Sequence, residues 1–203
     1  MCIRDSIRSV LESRKRLGKK WHSSGARIAA YEIAVKRCHD KVNRIDPETT
    51  SGTTLTAMVI WRANWSRVKG EVVHIGDSRC YRIRGGDLEL LTGDHSVTGG
   101  MVKSGYIQIH EIPETAGSSS LTKNIGDSEM SSPDVISVTM RKDDAFLLCC
   151  DGVWGPLHGE EGFWLPTEYA DHQQRVEMVV EESLGRGSTD NCSALLMIPR
   201  DWS

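Results

Sequence analysis

The stretch GEVVHIGDSRCYRIRGGDLELL, residues 70–91, decides how the chain folds. Its first part, 70–78, is rich in β-branched residues and bounded by Gly, which reads as a strand. Its second part, 80–91, places Gly85-Gly86 between two apolar-containing runs. Glycines accept the positive φ values that a two-residue turn demands, so this part reads as a β-hairpin. A hairpin fixes the local pairing as antiparallel.

Working outward, 55–61 (LTAMVIW), 134–140 (DVISVTM), 145–151 (AFLLCCD) and 191–198 (NCSALLMI) read as further strands. Residues 25–45 carry Ile28, Tyr31, Val35, Val42 and Ile45 at roughly helical spacing, and Asp46-Pro47 ends that helix. A second long helix is predicted over 168–185, with Val176, Val179, Val180 and Leu184 inward and Gly185 at its C-terminal end. A short helix at 96–104 ends at Gly105, and 7–20 holds a shorter helical piece. Residues 110–132, polar and rich in Ser and Gly, predict a mobile surface segment. Helices covering hairpin-linked strands define an α+β layered domain.

At 203 residues the chain has room for one domain with a substantial core. Its 38% hydrophobic and 26% charged residues are ordinary for a globular protein. A formal net charge of -3 argues against nucleic-acid or anionic-membrane partners, and the basic cluster RKRLGKKWH (14–22) reads as a solvated loop or helix end. Six cysteines occur without a CxxC pair, and Cys149 and Cys150 sit in an apolar run, as small core residues do in a reducing compartment. No apolar run approaches a membrane span. The expectation is a cytoplasmic monomer.

Four aspartates share one setting, the edge of a strand beside Gly or in a turn: Asp77 in HIGDSR, Asp94 in LTGDHS, Asp151 in CCDGVW and Asp190 in GSTDNCS. Strand ends of one sheet bring such residues together. Clustered carboxylates repel one another, and a hard divalent cation with oxygen ligands relieves them. Mg²⁺ or Mn²⁺ suits this donor type better than Zn²⁺. His95 follows Asp94, yet no second His stands at metal-ligand spacing. Each Asp also has a plainer reading as a turn residue, with Asp77 pairing Arg79 and Asp190-Asn191 turning into the last strand. Asp151 fits that reading least, because the run before it, LLCC, is so apolar. Cys149 and Cys192 read as core residues, Trp61 and Trp65 as cover for a hairpin, and His74 as solvent-facing or hydrogen-bonded.

The segments SGTTLTAMVI, VVHIGDSRCYRI, LELLTGDHSVTGGMVKSG, LTKNIGDSEMSSPDVISV, FLLCCDGVWGPL and GSTDNCSALLM occur in this order. Together, over about residues 25–198, they resemble the metal-dependent protein phosphatases, also called protein phosphatase type 2C, in their bacterial form. The resemblance implies an antiparallel β-sandwich flanked by helices in α-β-β-α layers. It implies a Ser/Thr phosphatase acting through a metal-activated water on a phosphorylated protein, with a Ser/Thr kinase as natural counterpart. Asp151 and Asp190 match ligands of one ion of a two-metal Mn²⁺ or Mg²⁺ centre, and Asp94 matches a ligand of a weaker third ion. Gly152, Asn191, Asp77 and Ser78 match supporting positions, and about 96–132 matches a flap beside the site. Gly155 stands where many relatives carry a further acidic ligand.

The family's early Arg followed by an acidic pair, and its Asp-Gly-x-Gly-Gly-His, have no match here, so no residue is assigned the phosphate-binding or general-acid role. Residues 1–6, MCIRDS, resemble what a transposase mosaic-end adapter encodes. The expectation is therefore an adapter-derived start (1–6), a leftover segment (7–24) and a partial phosphatase domain (25–203) lacking its N-terminal strands. A catalytically dead pseudophosphatase is the alternative. A third reading is a regulatory module that docks a kinase or nucleic acid through 14–20 and the flap.

Overall fold

The computed structural model describes residues 14–15, 18–45, 51–64, 67–117, 120–127, 130–159, 162–166 and 171–198. The adapter-like residues 1–6, most of the helical piece expected at 7–20, Asp46-Pro47 and Trp65 lie outside the described residues. In chain order the elements are α1 (Ser24–Ile45), β1 (Leu55–Asn64), β2 (Arg67–Ile75), β3 (Arg79–Arg84), β4 (Asp87–Leu90), α2 (Val97–Lys103), β5 (Asp134–Thr139), β6 (Ala145–Cys149), α3 (Asp151–Leu157), β7 (His158–Gly159), β8 (Gly162–Phe163), α4 (His172–Gly185) and β9 (Ala194–Met197). Short 3-10 turns cover Gly18–His22 and Ile109–Glu114. The fold is α+β, with antiparallel pairing from β1 to β2, β3 to β4, β3 to β6 and β6 to β9.

Two compact units divide the chain, and each draws on two separated stretches. The first comprises Met1–Gly76 and Lys123–Val138. Its sheet has the order β1-β2-β5, and β1 runs against β2 from Leu55↔Ile75 to Asn64↔Arg67. Helix α1 buries the row Ala30, Ala34 and Cys38 and the row Tyr31, Val35 and Val42, spacings that give one stripe on a helix. Val35, Cys38 and Val42 pack on Ile75 and Ile125, while Ala30 and Tyr31 pack with Trp21 on Val73. Ile28 and Ile45, expected on this stripe, are exposed instead. Alanines and a cysteine take the inner rows.

A charged pair lies inside this unit. Arg27, 6% exposed, donates from Nε and Nη2 to both oxygens of Glu71, which is 1% exposed. The Tyr31 hydroxyl donates to the same carboxylate at 2.8 Å. Arg27 Nη1 also reaches the carbonyls of Trp21 and His22, and its guanidinium lies 4.3 Å from the Trp61 ring centre. Trp61, itself a residue of β1, therefore covers an ion. His74 is fully buried, facing Thr56 across the ladder with Nδ1 2.9 Å from Thr56 Oγ1.

The second unit comprises Asp77–Thr122 and Thr139–Ser203. Its sheet has the order β4-β3-β6-β9. The β3–β4 hairpin turns at Gly85 (φ 58°) and Gly86 (φ 94°), the left-handed values the two glycines predict. Tyr81, Ile83, Leu147, Val153, Leu157 and Val179 form the core, joined by Ile112. Ile112 is 1% exposed and belongs to the 3-10 turn Ile109–Glu114. The polar composition of 110–132 predicts a mobile surface segment; the structure instead buries Ile112 in this core and Ile125 in that of the first unit. In α4, Val179 faces inward as expected, whereas Leu184 is 54% exposed. The strand expected to run through Asp151 stops at Cys149, and Asp151 opens helix α3. No helix among the described residues is long and apolar enough to cross a membrane.

Candidate metal centre

All four singled-out aspartates belong to the second unit. Asp77 follows the end of β2 and is buried. Its backbone carbonyl accepts a hydrogen bond from Trp154 Nε1 at 2.9 Å. Burial, and then the charges of Asp151 and Asp94, push its carboxyl up to about 6. Asp77 therefore lies within electrostatic reach of two of the other carboxylates. Ser78 beside it is half-buried.

Asp151 is the first residue of α3, where the chain leaves β6 through Cys150. Its Oδ1 accepts from the Gly152 amide at 3.0 Å. Gly152 is where this turn meets the loop before β9. A Cβ at Gly152 would stand 2.6 Å from the Asn191 carbonyl oxygen and 3.3 Å from Asp190 Cβ. The Gly152 carbonyl accepts from Ser188 Oγ at 2.7 Å and from Cys192 Sγ at 3.3 Å. Cys150 Sγ donates to the Asn191 carbonyl at 3.0 Å. This lacing brings the Asp151 and Asp190 turns side by side. Asp190 Oδ1 accepts from the Asn191 amide, and both residues are exposed.

Asp94 is bound differently. Arg79 donates to it from Nε at 3.0 Å and Nη2 at 2.8 Å, the two-pronged geometry that suits guanidinium and carboxylate. Arg79 is fully buried, its Nη1 donates to the Tyr81 hydroxyl at 3.2 Å, and its guanidinium carbon lies 3.5 Å from the Trp154 ring centre. The pairing of Asp77 with Arg79 that the turn reading offered is thus replaced by Asp94 with Arg79. Sequence reading missed this partnership and missed Trp154 altogether. One signal was present: Arg79 has the same strand parity as Tyr81 and Ile83, so it shares their face.

Cys149 is buried, and burial above all raises its thiol pKa, which makes it an inert core residue. Cys192 is half-buried and spends its thiol on the Gly152 carbonyl.

Among the described residues no group of three or more His, Cys, Asp or Glu side chains is arranged to hold a metal ion. The donor chemistry nevertheless fits a hard cation. Asp151 and Asp190 offer carboxylate oxygens from adjoining turns, and the Asp77 carboxyl, raised first by burial and then by the Asp151 and Asp94 charges, is a third oxygen donor within reach of Asp151. Asp94 offers only oxygens that Arg79 already holds.

No family model matches the chain. Protein phosphatase PhpP of Streptococcus pneumoniae is 28% identical over 148 residues, 72% of this chain. The chain spans 57% of the length of that relative. Among solved structures, the PPM Ser-Thr phosphatase MsPP of Mycobacterium smegmatis, in complex with cacodylate, matches with a TM-score of 0.73 and 27% identity, over 96% of this chain and 80% of that one. The catalytic domain of serine threonine protein phosphatase PstP, in complex with 2 manganese ions, matches with a TM-score of 0.63 and 22% identity, over 94% and 79%. In sequence and in fold the chain is similar to protein phosphatases of the PPM, or 2C, type.

Proposed function

We propose that this chain serves a protein Ser/Thr phosphatase that hydrolyses phosphoserine and phosphothreonine, with Asp151 and Asp190 holding Mn²⁺ or Mg²⁺. The observation that carries the proposal is the lacing of the Asp151 and Asp190 turns through Gly152, beside the buried Asp77 carboxyl. That PhpP and MsPP are named phosphatases, and that PstP was solved with manganese, supports the reading. When bound, a divalent cation supplies acidification of water and positive charge for phosphoryl oxygens.

The chain's own part is positional. Asp151 and Asp190 supply anionic oxygens from two turns that Gly152 lets approach closely. Asn191 fixes the Asp190 side chain through its amide. Asp94 serves a third ion only by sharing oxygens with Arg79. The substrate class is a phosphorylated protein, with a Ser/Thr kinase as the opposing enzyme and the cytoplasm as the working compartment.

The test is a manganese titration of the chain by water-proton relaxation, run beside hydrolysis of a phosphothreonine peptide. Binding that falls at least tenfold in Asp151→Asn and in Asp190→Asn is the expected result. Binding unaffected by either substitution refutes the assignment. Peptide binding without hydrolysis or metal dependence favours the pseudophosphatase instead.

A further inference from the structure

Arg79 touches three of the four motifs that carry the aspartates, and the proposed chemistry gives it no role beyond holding Asp94. It follows Asp77-Ser78, it grips both oxygens of Asp94, and its guanidinium carbon lies 3.5 Å from the ring centre of Trp154, which α3 carries three residues after Asp151. Trp154 returns the link, since its indole N–H donates to the Asp77 carbonyl at 2.9 Å. The circuit thus runs from Asp94 through Arg79 and Trp154 to Asp77, and along α3 to Asp151.

A fully buried guanidinium is costly to desolvate unless its donors are used. Here Nε, Nη1 and Nη2 all have partners, and the guanidinium carbon lies over the Trp154 indole. Lysine cannot reproduce this arrangement, because a planar fork and a flat face are properties of arginine. We infer that Arg79 is a positioning residue, fixing the Asp77 turn and the start of α3 through Trp154 so that the carboxylates face a cation ready-placed. The metal-binding part of this inference rests on the function proposed above; the positioning part does not.

Two readouts separate them. The first needs no metal: hydrogen exchange of the Trp154 indole N–H and of the Asp77 and Ser78 amides, followed by NMR in EDTA. In Arg79→Lys these protons are expected to exchange at least tenfold faster, while the amides of Tyr81 and Leu147 in the β3–β6 ladder keep their protection. The second is the manganese titration, where removal of a supporting contact typically lowers affinity about 10–100-fold. Trp154→Phe keeps an aromatic ring at this position and deletes the indole donor, so it serves if Arg79→Lys does not fold. It is expected to loosen the Asp77 and Ser78 amides and to weaken manganese binding in the same direction.

Asp77 and Ser78 amide exchange rates within twofold of wild type in both variants overturn the positioning role. Faster exchange with unchanged manganese affinity overturns its link to the ion. Faster exchange in a chain that binds no manganese at all leaves Arg79 as a positioning residue and refutes the metal assignment instead.

Discussion

Substituting Arg27 by Met isolates a charge in the first unit, and the structure sets the size of the effect. Glu71 accepts three hydrogen bonds, two from Arg27 and one from Tyr31, and is 1% exposed. Arg27→Met leaves that carboxylate buried with one neutral donor. Deleting one partner of a buried pair costs about 3–5 kcal/mol, mainly through the uncompensated charge left behind. Tyr31→Phe removes a single hydrogen bond to a charged group, about 1.5–3 kcal/mol. The double substitution Arg27→Met with Glu71→Leu removes both charges and is expected to return to within about 2 kcal/mol of wild type. Urea unfolding followed by tryptophan fluorescence and far-UV circular dichroism measures all three. An Arg27→Met cost below about 1 kcal/mol, or a double variant no more stable than the single, refutes the argument that charge pairing decides this site.

Further expectations concern the second unit. Burial foremost, then the Arg79 and His110 charges, lower His158 to about 4. The unfolded chain protonates it near 6.5, so stability is lost as pH falls from about 6.5 toward 4. After discounting for its half-exposed ring, the loss between pH 7 and 5 is about 1 kcal/mol, and His158→Gln should flatten the urea midpoint over that window. Gly152→Ala places a Cβ 2.6 Å from the Asn191 carbonyl. It should cost about 1–3 kcal/mol in thermal unfolding and separate the Asp151 and Asp190 turns, read as weaker manganese binding. Ile112→Ala should cost about 2–5 kcal/mol if the 3-10 turn is anchored as the structure has it, against under 0.5 kcal/mol for a mobile surface segment.

What was legible in the sequence follows from the range of the physics involved. The Gly85-Gly86 hairpin depends on two residues and their φ values, so it is read directly. Helix α1 announces itself by spacing, although Ala30, Ala34 and Cys38 take rows that hydrophobicity alone would give to Ile28 and Ile45. The boundary at Asp151 was misplaced because LLCCDGVWG is apolar on both sides of the Asp, and an apolar run fits a strand end and a helix start equally. Ile112 and Ile125 escape the sequence reading because two buried side chains far apart in a polar stretch leave no period. The four aspartates were each visible, but which partner holds each was not. Arg79 chooses Asp94 over its neighbour Asp77 through the path of the chain after β4, and no local pattern encodes that path.

Each compact unit is assembled from two stretches interrupted by the other. The β1–β2 hairpin can form as soon as it is made, but its neighbour β5 arrives only with residues Asp134–Thr139. In the other unit Arg79 pairs with Cys149, a partner synthesised far later. Such distant pairings must close long loops before they gain contacts, which slows folding and lengthens the exposure of unpaired strands. A ribosome-bound chain therefore holds two unfinished sheets at once, and neither unit can be excised as one continuous piece. Trimming from either end removes part of a unit whose other half lies deep in the remaining sequence.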